Sequence, residues 1–269
     1  MGLFGNKSKP KFVKSRTLSP KKTVRLSYFS DSGPAVSLQK ISNVSLRKEV
    51  EDTAKVIKKG GALGVKWAVL GAVDTSGSMG GLYQSGAVQT VTDRALAFTL
   101  SIDEDGFIPF ATFGERFKWR KEVGQADYQN LVRAEGWDRG LEYGTVLAKT
   151  VKEITDLAKG ADTPVYAFII TDGEPTDGKE NVFKAIQDAS QYPIFFKFLA
   201  VGGNRGAIAF LNELDNMENT RPGSRLFDNV DTAEIPDPKR VSTEQFAAMM
   251  TEEMASTIQG MKDAGLVTG

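Results

Sequence analysis

One carboxylate and two hydroxyls stand at alternate positions in the stretch Val73-Asp74-Thr75-Ser76-Gly77-Ser78-Met79. Asp74, Ser76 and Ser78 offer hard oxygen atoms, the donors that a small divalent cation collects. An apolar run of strand length, Trp67-Ala68-Val69-Leu70-Gly71-Ala72-Val73, leads into them, and a segment of helical periodicity follows. The loop 74–78 therefore lies where a buried strand ends. A further carboxylate, in Thr171-Asp172-Gly173, follows the apolar run 165–170 in the same way.

The residue types that are missing narrow the chemistry. The 269 residues include no His and no Cys. That removes the usual zinc ligand, the usual general base, every Ser-His-Asp or Cys-His triad, thiolate chemistry and disulfides. No Gly-x-x-x-x-Gly-Lys-Ser/Thr phosphate loop is present, and position 76 is Ser where an aspartyl-phosphate enzyme would offer a second carboxylate. An enzyme is not expected. A Mg²⁺-dependent phosphoryl-transfer enzyme is kept only as the weaker alternative.

The elements that must hold these residues alternate. Periodicity predicts strands over 65–73, 107–113, 117–123, 165–170, 194–201 and 225–230. It predicts helices over 86–100, 126–133, 145–158, 179–190 and 207–214, and a terminal helix from the capping box Ser242-Thr243-Glu244-Gln245 to about Lys262. Its stripe of Phe246, Met250, Met254, Ile258 and Met261 is expected to pack into a core. Strands alternating with helices imply an α/β fold: a Rossmann-like, doubly wound, mostly parallel sheet with helices on both faces. Sites in such sheets form at the carboxyl ends of strands, where both polar loops lie.

Upstream, residues 1–23 are rich in Lys, Ser and Pro, contain no acid, and are expected to form a flexible basic arm. Residues 24–60 are expected to form an extension of short strands, or extended arms laid on the main body, near 24–28 and 36–41 and a helix over 46–59. The main domain is expected over 61–235, with the C-terminal helix of 236–269 packed on it. Zero net charge hides an asymmetry: residues 1–60 carry 14 Lys/Arg against 4 Asp/Glu. Such an arm is either solvated or docks on an acidic surface. Aromatic residues are not interleaved with its basic ones, so nucleic acid is not expected. No apolar run reaches the ~18–20 residues of a membrane span. The N-terminus has no signal-peptide core, and Asn6 departs from the myristoylation pattern, so a cytoplasmic protein is expected.

Asp-x-Ser-x-Ser after a buried strand resembles the metal-ion-dependent adhesion site of von Willebrand factor A (VWA) domains, and the resemblance extends over most of residues 65–230. It implies five metal ligands: Asp74, Ser76 and Ser78, with Thr145 from Tyr143-Gly144-Thr145 and Asp172 from Thr171-Asp172-Gly173. Two carboxylates balance the charge of Mg²⁺, the expected ion, with Mn²⁺ and Ca²⁺ as alternatives. The resemblance further implies a position left open for the Asp or Glu of a protein partner.

The continuation Gly80-Gly81-Leu82-Tyr83-Gln84-Ser85-Gly86-Ala87-Val88-Gln89 looks like the TerF-like A domains associated with tellurium resistance. So do Asp93-Arg94, Asp103-Glu104-Asp105-Gly106 and Phe113-Gly114-Glu115. This implies a bacterial stress-response role through protein assembly. The other alternative is a structural subunit tethered by the basic arm. Asp103, Glu104 and Asp105 read as a solvated turn or a second cation site. Glu174 and Asp177 read as tuning charge or capping the next helix, and Trp137 and Tyr143 as partner contacts or loop anchors.

Overall fold

The computed structural model describes residues 18–29, 33–60 and 64–269. Residues 1–17 of the expected arm lie outside the described residues. In chain order, β1 (Val24–Arg25) precedes a 3₁₀ turn at Leu38–Lys40 and α1 (Val44–Lys59). Next come β2 (Ala68–Asp74), α2 (Gly80–Gln84), α3 (Ala87–Ile102), β3 (Ile108–Phe113), β4 (Phe117–Val123) and α4 (Leu131–Glu135). They are followed by α5 (Leu147–Ala158), β5 (Val165–Thr171), α6 (Lys179–Ala189), β6 (Ile194–Val201), α7 (Arg205–Asp215), α8 (Met217–Thr220) and β7 (Val230–Ile235). The order finishes with α9 (Thr243–Thr251), α10 (Met254–Asp263) and β8 (Val267–Thr268).

β5 carries no charge and every one of its residues is buried, as a strand covered on both faces requires. It lies inside a six-stranded sheet of order β4-β3-β2-β5-β6-β7, parallel except for the β3–β4 hairpin. Val69 and Val73 of β2 point to one core, with side chains of α1, α3, α9 and α10. Leu70 and Ala72 point to the other, with α5, α6 and α7. Between them Gly71 leaves room for two rings: a Cβ there would come within 2.6 Å of Phe168 and 2.8 Å of Phe110. This is the doubly wound α/β architecture that the alternation of elements predicts. The chain leaves β2 for β3 on one side and returns to β5 on the other, which makes the β2/β5 boundary the topological switch point.

Several local expectations are corrected. The alternating piece 36–41 is no strand: the main chain of Ala35 and Val36 donates to Ser101 and Leu100 carbonyls, satisfying the end of α3. The last strand of the six-stranded sheet is β7, not 225–230. Arg225 is tied to Asp228 at 2.8 Å and the Leu226 N–H to Ser190 Oγ at 3.1 Å, which holds that stretch as a loop. The single terminal helix is two, α9 and α10, parted where Glu253 takes φ 64°. Tyr166 Oη donates to the Met250 carbonyl at 2.7 Å, the oxygen that a continuous helix would give to Met254. Phe246, Met250, Met254 and Met261 are core residues, as expected. Asp103 makes a turn, accepting from the Val69 N–H at 2.9 Å and from the Asp105 N–H at 3.0 Å. Among the described residues, no helix is long and apolar enough to cross a membrane.

Candidate metal centre

β2 runs out at Asp74 and β5 at Thr171, and the register Val73↔Ile170 sets these two residues opposite each other. Thr171 Oγ1 donates to Asp74 Oδ2 at 2.6 Å, and the Ser76 N–H donates to Asp74 Oδ1 at 2.7 Å. Tyr83 Oη, from α2, donates to the Asp74 carbonyl at 2.8 Å. The next residue of the β5 loop, Asp172, accepts from Ser78 Oγ at 2.7 Å through Oδ1. Ser76 Oγ and Ser78 Oγ are 3.0 Å apart. Thr145, just before α5, turns its Oγ1 toward Asp74 Oδ2 at 3.4 Å, and its N–H donates to Thr176 Oγ1 at 2.9 Å. All five expected residues meet at the switch point.

The electrostatics of this group are one-sided. Burial pushes the Asp74 carboxyl up to about 6 against the opposing pull of Thr171 and Ser76, and the Asp172 charge adds to the rise. Burial also raises Asp172, against the Ser78 hydrogen bond. Lys118 pairs with Glu142 and Lys179 with Glu174, and neither pairs with this group. A contrasting acidic group, Asp215, Asp231 and Glu253, brings its oxygens within 4.8 Å of one another, but there the fully buried Lys197 pairs with Asp231. Among the described residues Asp74 and Asp172 pair with no Lys or Arg, and a buried pair of carboxylates is eased either by a proton or by a cation. The donor set fits a divalent ion: two carboxylates and three neutral hydroxyls, all oxygen. Gly173 keeps the space between them open, since a Cβ would lie 3.0 Å from Thr145 Oγ1 and 3.6 Å from Asp74 Oδ2.

The residues around the group divide. Trp137 is buried and stacks on Phe110, ring centres 5.2 Å apart, so it anchors its loop. Tyr143 is 91% exposed at the lip beside Thr145. Asp177 caps a helix other than the next one: its Oδ2 accepts from the Lys149 N–H, in the first turn of α5, at 3.0 Å. Glu174 pairs with Lys179 at 2.7 Å and lies against Gly206 at the start of α7. Sequence reasoning missed Thr171, Tyr83 and Thr176 as supports. Thr171 follows from strand register alone, Tyr83 lies in the run 80–89 with no role assigned to it there, and no signal in the sequence marks Thr176.

A curated relative, the uncharacterized protein YcbR of Bacillus subtilis (strain 168), is 28% identical over 206 residues, which cover 72% of this chain and 79% of its own. Among solved structures, the von Willebrand factor type A protein from Catenulispora acidiphila is similar at a TM-score of 0.45 and 21% identity, over 71% of this chain and 43% of that one. This chain thus spans less than half the length of that structure. The manganese-loaded TRAP protein of Plasmodium vivax gives a TM-score of 0.48 and 15% identity, over 70% of this chain and 73% of its own. VWA domains often mediate protein interactions, often bind a divalent metal, and are generally not enzymes. The family model for the vWA found in the TerF C terminus matches residues 66–267, and the chain belongs to this TerF-like VWA family.

Proposed function

We propose that the chain is a metal-dependent protein-interaction module, in which Asp74, Ser76, Ser78, Thr145 and Asp172 hold a divalent cation. Mg²⁺ is the expected ion, and Mn²⁺ and Ca²⁺ take the same oxygens. The observation that carries the reading is the pair of carboxylates at the ends of β2 and β5, ringed by hydroxyls and unmatched by any Lys or Arg among the described residues. When bound, the cation supplies an oxygen-seeking positive charge that the Asp or Glu of a partner protein satisfies. The protein's own part is to present it. Asp74 and Asp172 supply the compensating charge, Thr171 and Tyr83 orient Asp74, and the three hydroxyls leave the ion electrophilic. The TerF family match supports a bacterial tellurium-resistance or stress-response assembly as the setting, and the cytoplasm is the expected compartment.

The first test is a thermal melt. Mg²⁺ at about 100 times its dissociation constant stabilises the folded state by about 2.7 kcal/mol, a rise of roughly 5–10 °C for a domain of this size. Asp74→Ala removes the rise. A pull-down with Mg²⁺ or with EDTA then asks whether partners leave with the metal; identical partners in both would end this reading.

A further inference from the structure

Glu142 joins the candidate centre to the rest of the domain. Its main chain brackets Ser76: the Glu142 N–H donates to the Thr75 carbonyl at 2.8 Å, and its carbonyl accepts from the Gly77 N–H at 2.9 Å. Its side chain runs the other way, into the turn between β3 and β4. There Oε2 accepts from the Arg116 N–H at 3.1 Å, and Oε1 pairs with Lys118. Arg116 Nη2 stands 3.6 Å from the same Oε1. Only 12% of the Glu142 side chain is exposed, and these donors hold its carboxyl below the usual range against the opposing effect of burial.

The same turn grips the segment at its far end, where the Val146 N–H donates to the Gly114 carbonyl at 2.9 Å. Gly114 also gives the side chain its seat, since a Cβ there would come within 2.8 Å of Glu142 Cβ. Residues 142–146 are thus fastened to the β3–β4 turn at both ends. Thr145 lies inside that span, and Ser76 is clamped by its first residue.

We propose that Glu142 is a positioning residue for the candidate centre: its carboxylate fastens the 142–146 segment to the β3–β4 turn, and its main chain thereby sets Ser76 against Thr145. The proposal rests on the metal reading above. Ion pairs whose basic partners reach solvent, as Lys118 at 35% and Arg116 at 71% exposure do, contribute little to global stability, whereas supports behind a ligand set govern ion affinity strongly. The two effects therefore separate in one experiment.

The test uses the full chain and Mn²⁺ alone, with affinity read from the electron paramagnetic resonance signal of free Mn²⁺ and folding from the melting midpoint in EDTA. Glu142→Ala is expected to weaken Mn²⁺ binding about 10–100-fold with little change in that midpoint. Glu142→Gln, which keeps an acceptor for the Arg116 N–H, recovers part of the affinity. Lys118→Met and Gly114→Ala act in the same direction as Glu142→Ala. Wild-type binding with an unchanged constant in Glu142→Ala overturns the proposal. So does a lowered midpoint that accounts for the loss and that Gln does not restore. Failure of the wild type itself to bind Mn²⁺ overturns the metal reading, and this inference with it.

Discussion

The hydroxyl of Thr171 is the shortest support that Asp74 has, at 2.6 Å from Oδ2, while Thr145 Oγ1 lies at 3.4 Å. Thr171→Val keeps the strand's shape and removes that donor from a buried carboxylate. A hydrogen bond to a charged group contributes about 1.5–3 kcal/mol, so a loss of that size is expected in urea unfolding at pH 8 with EDTA present. The carboxyl also moves further above its usual range, because the donor that held it down is gone. At this scale the sequence was legible where donors are marked by alternation and by strand ends, as with Asp74, Ser76, Ser78 and Asp172. Thr145 became visible only through family resemblance. Thr171 was hidden by its neighbour: it reads as the last residue of an apolar strand, and only the pairing of β2 with β5 turns it toward Asp74.

Elements were legible where burial is uniform and less so where a single contact decides. β5 and β6, apolar except for Tyr166, the terminal Thr171 and one buried lysine, were foreseen almost to the residue. The break between α9 and α10 was not, because it depends on Tyr166 reaching across the core to the Met250 carbonyl. The buried lysine is the other departure. Lys197 lies wholly inside β6 and pairs with Asp231 of β7, close to Asp215 and Glu253. Removing one partner of a buried pair typically costs about 3–5 kcal/mol. Lys197→Met is therefore expected to lose that much at pH 8, where Asp231 and the neighbouring Glu253 are left without their cation. The loss shrinks toward pH 6 as they take up protons, and chemical denaturation at both pH values measures it.

The whole molecule carries several carboxyls raised by burial. Asp215 and Glu253 are pushed up to about 7, with repulsion from Asp231 adding to the effect. Asp74, Asp93 and Asp103 are pushed up to about 6. Each holds its proton in the folded chain at a pH where the unfolded chain has already released it. Stability in EDTA is therefore expected to rise as the pH falls from about 7.5 to about 5.5, with the gain complete only near the unfolded value of about 4. Glu253→Gln should flatten the upper part of that slope in a melting-temperature profile. Composition gave no hint of this: the chain is formally neutral, and only packing shows which acids are buried. The doubly wound plan itself was legible, since alternation of strand and helix leaves few topologies for a parallel sheet.

The pairing of β1 with β8 has a mechanical consequence. The two strands run parallel, Val24 opposite Val267 and Arg25 opposite Thr268. The Val24 N–H donates to the Leu266 carbonyl at 3.0 Å and the Leu26 N–H to the Thr268 carbonyl at 2.8 Å. A pull on the chain before β1, opposed by one after β8, drags the strands along each other. Both bonds then take the load together, where an antiparallel pair pulled from one end would peel bond by bond. Leu266, just before β8, donates its N–H to the Met261 carbonyl at 2.8 Å, and both side chains are fully buried. Tension entering from the two sides of the domain therefore meets a shear clamp before it reaches β2 and the loop at Asp74.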